Sequence, residues 1–228
     1  MLEMNKLKLL NYHNLQHCFP RCGIKSNKVL ELITYLDFKN ISITIPLGKL
    51  PNTIKKIKFD RMHDCELLPE SLPDGLLDLT LCKSKFQLFE IPKSVTNLSF
   101  SDQFNNDIIP DLGGYNCYLE PGALPKSIKT LKFGREYNKE FSKGPIPDSV
   151  INLTLSHIKF NSGGGGGGGT TSDSIIPSSV INLSFQDNSN KPIEMGILQS
   201  VSLETLKFGR NFNSTIAPLS IPSSLKKT

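Results

Sequence analysis

The sequence predicts a mainly β protein: a parallel β solenoid built by stacking a unit of about 22 residues, preceded by a small helical cap. Three observations carry this expectation. One ten-residue phrase recurs along the chain. Its second half alternates large apolar and polar residues with period two, as a half-buried strand does. Its second residue is Pro, which cannot donate to a sheet ladder and so belongs at a corner before the strand.

The phrase runs aliphatic, Pro, any residue, Ser or Thr, aliphatic, two variable residues, Leu, one variable residue, Phe or Leu. It reads LPNTIKKIKF at 50–59, LPDGLLDLTL at 72–81, IPKSVTNLSF at 91–100, LPKSIKTLKF at 124–133, IPDSVINLTL at 146–155 and IPSSVINLSF at 176–185. A worn copy, QSVSLETLKF at 199–208, has lost its Pro, and IPSSLKKT at 221–228 begins another. With Ser200 counted in the Pro place, the copies start at 51, 73, 92, 125, 147, 177, 200 and 222, in steps of 22, 19, 33, 22, 30, 23 and 22. The two long steps hold insertions, one rich in Gly and Asn near 105–122 and one near 161–174 around the glycine run Gly163 to Gly169. Loops bulging from one turn of a solenoid cost little closure entropy.

In each complete copy two large apolar residues, Leu or Ile and then Phe or Leu, lie two apart and point to one face. A single unit cannot bury them, and stacked units bury them in a continuous column. The Ser or Thr after Pro is expected to bond local backbone and hold the corner. Two spacers share a second phrase, FGREYNKEFSKGPIP at 133–147 and FGRNFNSTIAPLSIP at 208–222. Gly134 and Gly209 are expected to permit a tight turn out of the strand. Tyr137 and Phe212 are expected to fill the back of the solenoid.

These phrases resemble the FNIP repeat, a family similar to leucine-rich repeats and expanded in social amoebae. The resemblance covers about 50–228 and is most specific at 124–155 and 199–225, whereas the spacers at 60–72 and 82–91 lack FG-x-x-[FY]-N. It implies a leucine-rich-repeat-like architecture and adds little about mechanism.

The organisation expected is a cap segment at 1–45 and a solenoid at 46–228. Residues 29–38, VLELITYLDF, fit two patterns. Val29, Leu32, Ile33 and Leu36 form a helical stripe with Asn27 as N-cap; alternatively Ile33, Leu36 and Phe38 align with a worn repeat. The helix is preferred, because a solenoid needs a cap over its first turn. NKVLELITYLDFKNI also resembles the apolar helix of an F-box, without its usual Leu-Pro start, which implies an alternative role as a ubiquitin-ligase substrate-recognition arm. At the other end nothing in the sequence caps the last copy, so self-association there is expected.

The chain carries a net charge of +5 spread thinly, with 38% hydrophobic residues and no Trp. This argues against a nucleic-acid partner, which would favour a concentrated basic patch. No run is long enough for a membrane helix and no signal peptide is visible, so a cytoplasmic (or nuclear) location is expected. Cys18, Cys22, Cys65, Cys82 and Cys117 show no disulfide framework. Five N-x-S/T sequons occur, and those at Asn97, Asn152 and Asn182 fall at one place in the repeat, which accounts for them.

Catalytic chemistry finds no support. His13, His17, Cys18 and Cys22 lie together, but Pro20 interrupts their helix and no second pair follows. The glycine run lacks the Lys of a phosphate loop. No nucleophile elbow or paired-carboxylate spacing appears, so neither an enzyme nor a cofactor nor a metal is expected. The candidate site is instead a partner-binding face. The residue between Leu and Phe points away from the core, and down the stack it is Lys58, Thr80, Ser99, Lys132, Thr154, Ser184 and Lys207. With the strands in register these form a polar ladder. The preferred function is a non-enzymatic protein–protein interaction scaffold with an unidentified partner, and weak anion or nucleic-acid binding through Lys58, Lys132 and Lys207 is the remaining alternative.

Overall fold

In a computed structural model, the residues described are 34–38, 44–45, 50–59, 66–67, 70–81, 91–102, 122–137, 146–156, 176–193, 198 and 202–226. Among them are ten strands: β1 Tyr35–Phe38, β2 Thr44–Ile45, β3 Lys56–Phe59, β4 Glu66–Leu67, β5 Asp78–Leu81, β6 Asn97–Phe100, β7 Thr130–Lys132, β8 Asn152–Leu155, β9 Asn182–Phe185 and β10 Thr205–Lys207. Eight of these form one parallel sheet in the order β1-β3-β5-β6-β7-β8-β9-β10, and β2 pairs with β4 separately. None of the described residues is helical. This is the leucine-rich-repeat-like parallel solenoid that the repeat dictates.

Each unit is built the same way. The Pro carbonyl accepts from the backbone N–H three residues on, at Pro51–Ile54, Pro73–Leu76, Pro92–Val95, Pro125–Ile128, Pro147–Val150, Pro177–Val180 and Pro222–Leu225. Pro thus gives up only an N–H that the corner does not use. After the corner, two successive N–H groups share one carbonyl of the preceding unit. Lys55 and Lys56 donate to Thr34, Leu77 and Asp78 to Lys55, and Thr96 and Asn97 to Leu77. The series continues through Thr96, Lys129, Ile151 and Ile181 as acceptors.

The core is a set of columns. Ile54, Leu76, Val95, Ile128, Val150, Val180 and Leu203 line one, and Leu36, Ile57, Leu79, Leu98, Leu131, Leu153 and Leu183 another, all buried. Phe59, Leu81, Phe100, Phe133, Leu155 and Phe185 close the far side. The rings of Phe100 and Phe133 stack at 5.3 Å, and those of Phe185 and Phe208 at 5.7 Å. Tyr137 is buried against Phe133 at 4.7 Å, and the half-buried Phe212 lies on Phe208 at 4.3 Å. Both therefore fill the back of the solenoid, as expected.

Three expectations change. The helical reading of 29–38 gives way at Tyr35–Phe38 to strand β1, which pairs Leu36 with Ile57 and Phe38 with Phe59. The worn repeat wins there because stacking on β3 satisfies backbone groups that an isolated helical turn would leave to its own ends. The sheet accordingly reaches into the 1–45 segment assigned to a cap. Second, the corner Ser does not bond locally. Ser94 donates to Leu76 O, Ser127 to Val95 O, Ser149 to Ile128 O, Ser179 to Val150 O and Ser224 to Leu203 O, at 2.6–2.8 Å. Each reaches the preceding unit, so it clamps copies together. At Gly75, which lacks the hydroxyl, Lys55 Nζ donates to the Gly75 carbonyl at 3.2 Å instead.

Third, a tight turn does leave the strand at Gly134 and Gly209, with the Tyr137 N–H donating to Gly134 O at 3.3 Å and the Phe212 N–H to Gly209 O at 3.1 Å, but φ does not require glycine there, since among described glycines only Gly122 has positive φ. A Cβ on Gly134 would sit 1.7 Å from Ser101 O, and one on Gly209 would sit 2.1 Å from Gln186 O. These glycines let one backbone lie on the backbone of the preceding unit. Residues 1–33, with the His/Cys cluster and most of the F-box-like stretch, lie outside the described residues, as do the insertions near 105–122 (save Gly122) and 161–174.

Candidate protein-interaction face

The strand pattern sets the face. Along β3, β5, β6, β8 and β9 the second and fourth residues are buried while the first and third reach the surface. The third residues are the predicted ladder. Register aligns Lys58 with Thr80, Thr80 with Ser99, Ser99 with Lys132, Lys132 with Thr154, Thr154 with Ser184, and Ser184 with Lys207. All seven residues are thus brought onto one unbroken row. Lys132 and Lys207 are exposed and the others are half-buried.

The row also has a member that the sequence reading missed. Asp37 of β1 aligns with Lys58 and extends the ladder by one strand. Its signal was present in the alternation of Leu36-Asp37-Phe38, which the helical reading suppressed. Tyr35 stands beside it, its hydroxyl donating to Asp37 Oδ2 at 3.1 Å.

A parallel row comes from the first residues of the strands: Lys56, Asp78, Asn97, Thr130, Asn152, Asn182 and Thr205. It is internally bonded. Lys56 Nζ pairs with Asp78 Oδ2 at 3.0 Å, Asn182 Nδ2 donates to Asn152 Oδ1 at 2.7 Å, and Asn152 Nδ2 donates to Thr130 Oγ1 at 3.2 Å. Cross-strand amide bonds of this kind fix side-chain direction, so this row is braced. From β3 to β10 the two rows carry hydroxyls, amides, four lysines and the carboxylate of Asp78, with no aromatic side chain.

Beyond the face, Arg135 Nε lies 3.5 Å from Asp102 Oδ2, and the Arg210 N–H donates to Asp187 Oδ1 at 3.1 Å. Both contacts tie an FGR turn to the Asp that follows the preceding strand. Among the described residues no group of three or more His, Cys, Asp or Glu is placed to hold a metal, and no helix is long and apolar enough to cross a membrane.

The sequence profile of the FNIP Repeat family matches residues 42–84, 115–157 and 200–227. The chain belongs to the FNIP repeat family. An FNIP repeat-containing protein of Dictyostelium discoideum is 27% identical over 193 residues, covering 82% of this chain and 50% of the relative. Another, of Acanthamoeba polyphaga mimivirus, is 26% identical over 170 residues, covering 66% of this chain and 38% of the relative. The FNIP chain therefore spans half or less of the length of these relatives. The solved structure of CroV588, a circular leucine-rich-repeat protein, superposes with a TM-score of 0.59 at 25% identity, over 86% of this chain and 30% of that one. The FNIP units described above are thus leucine-rich-repeat-like in fold as well as in pattern.

Proposed function

We propose that this FNIP solenoid is a non-enzymatic, intracellular protein-interaction scaffold whose docking surface is the exposed sheet face. The observation that supports it is the unbroken register of the ladder from Asp37 to Lys207 across eight parallel strands. Repeat proteins use such extended faces for binding, because stacking presents one side chain per unit at a fixed spacing. The family and the leucine-rich-repeat-like fold point the same way. Affinity purification from the native cell, with wild type beside a Lys132→Glu, Thr154→Glu, Ser184→Glu variant, tests the reading. Loss of specific partners from the variant is expected; an unchanged partner set means that the face is inert.

A further inference from the structure

The ladder has a longer period than the repeat. Read in sheet order from β3 to β10 it is Lys58, Thr80, Ser99, Lys132, Thr154, Ser184, Lys207. That is Lys-Thr-Ser twice, then Lys again. The apolar residue two positions before the end of each phrase is Ile57 and then Leu in every later copy, but the last one follows the same triplet: Phe59, Leu81, Phe100, then Phe133, Leu155, Phe185, then Phe208. The copies that carry Lys start at 51, 125 and 200, which are 74 and 75 residues apart. The architecture is therefore a stack of three-unit blocks, and the block places one lysine on the face at every third strand.

With parallel strands about 4.8 Å apart, the lysines recur about every 14 Å. An extended polypeptide advances about 3.4 Å per residue, so four residues also span about 14 Å. Four is an even number, so side chains at that spacing all leave the same side of an extended chain. Three or five residues would miss the spacing and turn alternate side chains away. Between lysines the face offers two hydroxyls, Thr80 and Ser99 or Thr154 and Ser184, suited to the peptide groups of a chain lying across the strands. The lysine charge is available. Lys132 and Lys207 enter no ion pair among the described residues, whereas Lys56 in the braced row is paired with Asp78. Lys58 faces Asp37 in register, which sets the acidic end of the track.

Resting on the docking-face reading above, we propose that this face is a track for an extended acidic peptide with carboxylates at every fourth residue. Single-stranded nucleic acid fits it poorly: a charge every 14 Å or so is sparse beside one phosphate per nucleotide, and neither row supplies an aromatic for base stacking.

The test is fluorescence anisotropy at low salt with labelled peptides of equal composition, carrying glutamates at positions 1, 5 and 9 or at positions 1, 4 and 7. The first register should bind about fivefold to tenfold tighter, lose affinity with added salt, and weaken about as much in a Lys132→Ala, Lys207→Ala variant. Circular dichroism of that variant should match wild type, because both side chains are exposed. No binding, equal affinity for the two registers, or tighter binding of an oligothymidylate of equal charge overturns the track. If the peptides fail while the glutamate variant of the face still loses its cellular partners, the docking face stands and the acidic track falls. If both fail, the face itself is inert and both readings fall.

Discussion

Gly134 and Gly209 show how little room a stacked unit leaves. Their missing side chains are filled by the carbonyls of Ser101 and Gln186, which are backbone and cannot rotate away. Gly134→Ala is expected to cost at least about 2 kcal/mol of unfolding free energy in urea titration, since overpacking forces the backbone to move. Gly122→Ala should cost about 1 kcal/mol for another reason: its φ is 83° with nothing within 4 Å, so only the left-handed backbone is penalised. Leu219 offers the reverse experiment. It holds φ of 61° while 78% exposed, so Leu219→Asn should stabilise by about 0.5–1 kcal/mol in the same titration. The need for glycine after Phe was legible in the repeated FG phrase. Its cause was not, because the obstructing atoms belong to the unit before.

The strands themselves were legible because side-chain direction is set within a few residues. Large apolar residues two apart marked β3 and β5 through β10, and burial follows the alternation residue by residue along β3, β5, β6, β8 and β9, while Leu206 and Phe208 at β10 are half-buried. β1 was obscured because Leu36 satisfies both a helical stripe and a strand alternation, and pairing with β3 breaks the tie. Leu36→Ala should therefore behave as a core substitution, lowering stability by roughly 2–4 kcal/mol in denaturant titration. The corner serines test the joints between units. Ser149→Ala removes a bond to Ile128 O and should cost about 1 kcal/mol. A local corner role would leave the neighbouring unit unaffected. The clamp instead predicts faster amide hydrogen exchange in the unit of Ile128 as well as in that of Val150.

As a whole the molecule tolerates insertion between units far better than change within one. β8 and β9 pair in the common register although their corners are 30 residues apart, where those of β7 and β8 lie 22 apart. Closure entropy grows only with the logarithm of loop length, so deleting Gly163 to Gly169 should change unfolding free energy by less than about 0.5 kcal/mol, measured by chemical denaturation.

The sequence by itself determined the unit, the order of its copies and which residues of each turn inward, because these depend on local geometry and on burial that one copy cannot achieve alone. It also determined seven of the eight members of the ladder, Lys58 to Lys207. The tertiary structure decided whom each polar group meets: Ser127 finds a carbonyl 32 residues away, Asn182 an amide 30 residues away, and Asp37 joins the row only once β1 is seated. Hydrogen-bond partners across a stack depend on register between units, and register exists only when the backbones are laid side by side.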